Sequence, residues 1–132
     1  MKSKVAVGIP ALPEQDVHRF DGFWTVTLVC PNNPSARLPG WTFQFGATVK
    51  DGIFRGQRGT EGKPGGQVFD GTIDPDGTTR IFAKGLSGNT NSDPFHRPTG
   101  TEFRYTIAGK LEGSHGRASR VDRDCDVRFV KR

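Results

Sequence analysis

The chain has 132 residues and a mass of 14.4 kDa, enough for one domain with one core and too little for two. Eighteen glycines and nine prolines, with leucine only at positions 12, 28, 38, 86 and 111, exclude a helical bundle, which needs leucine and alanine and tolerates few glycines. Nineteen Lys and Arg against fourteen Asp and Glu give a net charge of +5, and no apolar run is long enough for a membrane-crossing helix.

Residues 1–19 show no periodicity, and Pro10 and Pro13 break any helix, so they read as an extended arm ahead of a single domain over residues 20–132. From Phe20 onward the apolar period is two. Trp24, Val26, Leu28 and Cys30 share one face of a first strand. Trp41, Phe43, Phe45, Ala47 and Val49 alternate with Thr42, Gln44, Gly46 and Thr48 on a second. Asp51–Gly52 is a hairpin signal, because glycine accepts the positive φ such turns demand, and a third strand follows over 53–58. A fourth strand covers 67–74 and turns at Asp74–Pro75–Asp76–Gly77 into a fifth over 79–86. A sixth carries Phe103, Tyr105 and Ile107 on one face. Glu112–Gly113–Ser114 leads into a seventh over 115–121, and an eighth over 124–130 points Cys125, Val127 and Phe129 one way.

About eight antiparallel strands, each joined to the next, make an up-and-down meander, and a meander of that number closes into a barrel. The expected class is therefore all-β, a single antiparallel barrel. The connections alternate in length. Those carrying Asp51–Gly52, Asp76–Gly77 and Glu112–Gly113 are tight, while residues 31–40, 59–65 and 87–100 form long loops. In a meander all the long loops fall at one end, giving a closed floor and a loop-rimmed mouth. Cys30 ends the first strand and Cys125 opens the eighth, so the two meet at the mouth if those strands pair, and a disulfide would then staple the closing seam. Two buried free thiols are the alternative. A bridge requires an oxidising compartment, secreted or periplasmic. Residues 1–9 are too short and too polar for a secretory signal, so export implies a leader that this sequence does not carry.

Gly22–Phe23–Trp24 on the first strand resembles the G-x-W signature of calycin-type barrels, the lipocalin and avidin group. The resemblance covers the strand plan over residues 20–132. It implies that Trp24 closes the barrel floor and that a basic residue near the last strand, Arg128 or Lys131, packs on its ring through a cation–π contact. The long C-terminal helix of lipocalins is missing, which favours the shorter avidin-like or bacterial inhibitor-like plan. No ligand residue of the family carries over.

Catalytic and metal chemistry find little support. His18, His96 and His115 lie in the arm, in a long loop and just past a floor turn, and read as surface histidines. Neither Ser nor Cys stands near a plausible base for a nucleophilic triad. The two cysteines have no partner at zinc-ligand spacing. Asp70, Asp74 and Asp76 fit no calcium loop and are explained by the turn. The glycines at 56, 59, 62, 65 and 66 lack the helix and Lys-Ser/Thr pair of a phosphate cradle, and read as a flexible loop beside barrel kinks. No cofactor and no metal is expected.

The mouth is the remaining candidate. It gathers Asn32, Asn33, Arg37 and Trp41 from the first long loop, Arg58 and Lys63 from the second, and Asn89, Asn91, Phe95, His96 and Arg97 from the third. Amides and guanidiniums beside large aromatics suit a polar or anionic small ligand, or a protein partner. The basic stretch Arg117, Arg120, Arg123, Arg128, Lys131 and Arg132, interrupted by Asp122, Asp124 and Asp126, reads as a solvated, cross-paired face.

The expected function is a non-enzymatic extracytoplasmic binding barrel. The alternative is a filled barrel acting as an interaction, sensor or inhibitor module, because Trp24, Phe43, Phe45, Phe69, Phe103, Tyr105 and Phe129 on the inward parity could leave no cavity. Nucleic acid is disfavoured as a partner. It would need outward aromatics beside arginine, for which Phe23, Phe54 and Phe82 are the candidates.

Overall fold

The computed structural model describes residues 16–37, 39–91 and 96–132. Eight strands follow in chain order: β1 (Gly22–Cys30), β2 (Trp41–Lys50), β3 (Ile53–Arg58), β4 (Gln67–Ile73), β5 (Thr78–Leu86), β6 (Glu102–Glu112), β7 (His115–Arg120) and β8 (Asp126–Lys131). Each pairs antiparallel with the next, and β8 returns to β1, so the sheet closes into a barrel without a free edge. A single 3-10 turn, Pro34–Ala36, interrupts the first long loop. No helix among the described residues is long and apolar enough to cross a membrane.

Period-two patterning becomes burial with little loss. In β2, Phe43, Phe45, Ala47 and Val49 are buried while Thr42, Gln44, Gly46 and Thr48 are exposed. The Asp51–Gly52 turn has positive φ at both residues, 54° and 76°, the twist a two-residue hairpin needs. That turn sets Val49 opposite Phe54. Directly opposed residues share a face, so Phe54 points inward and is fully buried. The expectation of Phe54 as an outward stacking aromatic is thereby overturned; Phe23 and Phe82 do stand exposed.

Aromatic rings fill the lower barrel in layers. Phe54 meets Phe129 edge-on at 6.2 Å, Phe45 stacks on Phe69 at 4.1 Å, and Phe69 meets Tyr105 edge-on at 6.5 Å. Burying each such ring contributes about 1.5–3 kcal/mol. Inward glycines give the rings room rather than leaving holes. A Cβ at Gly56 would lie 2.7 Å from the Phe45 ring.

The floor is sealed by Trp24, which is fully buried and donates its indole N–H to the Phe20 carbonyl at 2.9 Å. Residues 16–20 turn beneath the barrel, where Phe20 is buried and Arg19 donates to the Pro75 carbonyl. The remainder of the expected N-terminal arm, residues 1–15, lies outside the described residues. The cation over Trp24 is Lys131, 6.0 Å from the ring. Arg128 does not take that place: it falls between inward Val127 and Phe129, so its side chain faces out and pairs with Asp126. Gly22 has a φ of 140°, and a Cβ there would meet the Lys131 side chain at 2.8 Å. The glycine of Gly22–Phe23–Trp24 thus clears the path of the lysine.

Cys30 and Cys125 form a disulfide in which both residues are buried, which removes the free-thiol alternative. The bridge ties the mouth end of β1 to the residue leading into β8. It lies just beyond the last cross-strand pair of the closing seam, Val29 with Asp126.

Candidate functional site at the barrel mouth

The described residues of connections 31–40 and 87–101 lie at one end with connections 59–66 and 121–125, and the tight turns lie at the other. The mouth end holds a cavity of about 360 Å³. Its base is Tyr105, whose hydroxyl donates to Gln67 Oε1 at 2.7 Å. Burial drives the Tyr105 pKa far above the ordinary phenol value, so it remains a neutral donor.

The walls repeat one device, a guanidinium laid against an aromatic ring. Arg58, the last inward position of β3, lies 4.4 Å from the Phe43 ring centroid. Arg120, the last inward position of β7, lies 3.8 Å from Tyr105. Arg97 lies 5.2 Å from Phe103, and Arg123 lies 5.9 Å from Trp41. The rings also stack along their own strands, Trp41 on Phe43 at 4.9 Å and Phe103 on Tyr105 at 6.1 Å. Each cation is thus held by a ring that is itself braced, which fixes the direction of its N–H donors.

Among the described lining residues five are arginines, counting Arg104 on the rim, and Asp122 is the one acid. Asp122 takes two hydrogen bonds from Arg120, at 3.0 and 2.9 Å. The Arg120 bond holds its carboxyl below the usual carboxylate range. Arg123 donates to the Pro39 carbonyl at 3.1 Å. Burial, and then the neighbouring Arg120, pull the Arg123 pKa down, though an arginine remains charged at neutral pH. The indole N–H of Trp41 is buried and has no hydrogen-bond partner among the described residues.

Of the residues expected at the mouth, Trp41, Arg58, Asn89 and Arg97 line the cavity. Asn32, Asn33, Arg37, Lys63, Asn91 and His96 are exposed on the surrounding loops and are not part of its lining. Asn89 is partly committed to its own loop, since its Oδ1 accepts the Asn91 amide. Phe95 lies outside the described residues. Sequence reasoning missed Gln67, Arg120, Asp122 and Arg123. The basic stretch read as one solvated face divides in two: Arg117 and Arg128 do face solvent, both on Asp126, while Arg120 and Arg123 turn into the mouth. Strand parity carried the signal for Arg120, which shares a face with Gly116 and Ala118. Asp122 and Arg123 sit in a short loop where no period applies.

At the floor, His18, Asp21 and Asp51 bring one ligand atom each within 4.8 Å of one another. His18 Nδ1 lies 3.1 Å from Asp21 and 2.9 Å from Asp51, and all three are at least partly exposed. These contacts fasten the segment before β1 to the β2–β3 turn. Comparison with known proteins returns no match: no family model, curated protein or solved structure aligns with the chain.

Proposed function

We propose that this chain is a non-enzymatic, extracytoplasmic binding barrel of calycin-like plan that holds a small polar or anionic ligand at its mouth. The observation that carries this reading is the cavity of about 360 Å³ walled by guanidiniums braced on aromatic rings. That volume falls at the lower end of small-molecule sites, about 300–1,000 Å³. Its ionisable groups, among the described residues, are cations, one aspartate paired with Arg120, and a tyrosine kept protonated by burial. Such a set holds an anion and is poorly suited to moving a proton at neutral pH. The disulfide supports an oxidising compartment. The calycin-like reading rests on the closed eight-stranded meander, with Trp24 at its floor beneath a lysine.

The filled lower barrel favours a second reading, an interaction or accessory module in which the mouth loops meet a protein. Native mass spectrometry of the purified protein, compared with its denatured mass, separates the two. A retained small-molecule adduct lost on denaturation supports the ligand barrel, provided Arg58→Gln diminishes it. A bare protein that gains no thermal stability from any small polar or anionic compound favours the module.

A further inference from the structure

Among the described residues the mouth wall carries more cations than acids. Arg58, Arg97, Arg104, Arg120 and Arg123 line one small cavity, and Asp122 is the one carboxylate on its described wall. Asp122 engages two nitrogens of Arg120 side by side, the way a ligand carboxylate or phosphate would. It is itself half-exposed at 55%, whereas Arg120 is 12% exposed. The arginine is thus the enclosed partner, and the acid is the one facing solvent. Arg58 lies over Phe43 and Arg123 over Trp41, and these two rings stack on each other, so the two guanidiniums flank the stack from its two ends. Arg120 enters from β7, four strands round the barrel from β3, and lies over Tyr105 at the base. Ring faces along this wall are taken up by guanidiniums and by one another, so recognition falls to charge and N–H donors rather than to stacking of a flat ligand.

We propose that the mouth selects small ligands carrying two or more negative charges, a polycarboxylate or a polyphosphate. We further propose that Asp122 occupies one anionic seat on Arg120 until the ligand displaces it. This rests on the reading of the barrel as a ligand carrier and specifies its ligand class. One anionic group would sit against Arg58, and a second would take over the Arg120 fork, where Arg123 is the neighbouring cation. A monoanion satisfies one of these positions and gains little from the other.

Isothermal titration of the whole chain at low ionic strength tests this, with citrate and pyrophosphate as polyanions, acetate as a monoanion and glucose as a neutral control. Citrate or pyrophosphate should bind at least about tenfold more tightly than acetate, with an affinity that falls as salt is added. The stronger of the two identifies the carboxylate or phosphate source. Arg58→Gln and Arg123→Gln should each weaken the polyanion by about tenfold, the effect of losing a charge-assisted hydrogen bond. Asp122→Asn should strengthen it severalfold, because the internal competitor is gone. Arg128→Gln, on the outer face, should leave it unchanged, and melting curves of every variant show whether the fold is kept. Acetate or glucose binding as tightly as the polyanions, insensitive to Arg58→Gln, overturns the charge requirement while leaving a ligand barrel. An Asp122→Asn variant that binds the polyanion more weakly overturns the competitor role. No binding of either polyanion overturns the proposal, and the retained-adduct experiment then decides whether the ligand-carrier reading survives it.

Discussion

Removing the bridge between Cys30 and Cys125 is the perturbation whose magnitude the structure sets best. The two residues are 95 positions apart, so the bridge closes most of the described chain into one loop. In the chain-entropy treatment a loop of that length stabilises the fold by about 4.7 kcal/mol at 25 °C. Unfolding entropy near the midpoint is about 2.1 cal/mol/K per residue, or about 0.28 kcal/mol/K for a chain of this size. The Cys30→Ala, Cys125→Ala double variant should therefore melt about 17 °C below the parent, and alanine at these buried positions avoids introducing a polar group. Differential scanning calorimetry reads the shift directly. Urea titration supplies an independent check, since an unbridged unfolded chain exposes more surface and steepens the denaturant dependence. A melting point within about 3 °C of the parent would refute the staple argument. A large loss of stability with an unchanged urea slope would refute its entropic origin.

Trp24→Ala should cost about 3–5 kcal/mol, as truncation of a fully buried indole does, and Trp24→Phe a smaller loss dominated by the missing bond to Phe20, both measured by urea denaturation. Phe54→Ala should cost about 3–5 kcal/mol whereas Phe82→Ala stays within about 0.5 kcal/mol; equal effects would contradict the register set by the Asp51–Gly52 turn. Gly56→Ala should destabilise by about 1–3 kcal/mol through overpacking and shift the Phe45 and Phe69 ring resonances in NMR spectra. His18 should titrate above 6.5, first because it bonds Asp21 and then because Asp51 and Asp16 add negative charge. Burial pushes the Asp21 pKa up, but the Asp51 and Gly52 amides and His18 outweigh it, and the net shift is downward. A raised histidine contributes stability that is lost as pH rises through its folded pKa, and a depressed aspartate one that is lost as pH falls through its own. Docking of residues 16–20 should therefore be firmest between the ordinary carboxylate and histidine values. An NMR titration of the His18 ring that is unmoved by Asp51→Asn would count against this.

Strand order, the closed floor, the loop-rimmed mouth and the cysteine pairing were all legible in the sequence, and the reason is geometric. Period two assigns a face to every residue of a strand, short and long connections assign the ends, and a meander leaves few choices of neighbour. Phe54 was misplaced because Ile53 and Phe54 are both apolar, so local pattern could not choose between them; the cross-strand pairing with Val49 did. Strand parity puts Lys131 on the inward face with Val127 and Phe129 and Arg128 on the outer one, and the β1–β8 register then sets Lys131 opposite Trp24.

The site divides along the same line. That cationic and aromatic residues gather at the mouth follows from parity and loop length, as Trp41, Arg58 and Arg97 show. Which cations enter the cavity does not. Arg117, Arg120, Arg123 and Arg128 are near neighbours in sequence with acids between them, and composition alone makes them one mixed face. The β6–β7 register brings Arg120 over Tyr105, closure of the barrel brings Arg123 over Trp41, and Arg117 and Arg128 are left to solvent on Asp126. Sequence determines which face a side chain takes, because that is local stereochemistry. Which rings and carboxylates meet it there depends on how the strands twist and close, and that is decided by the packed core as a whole.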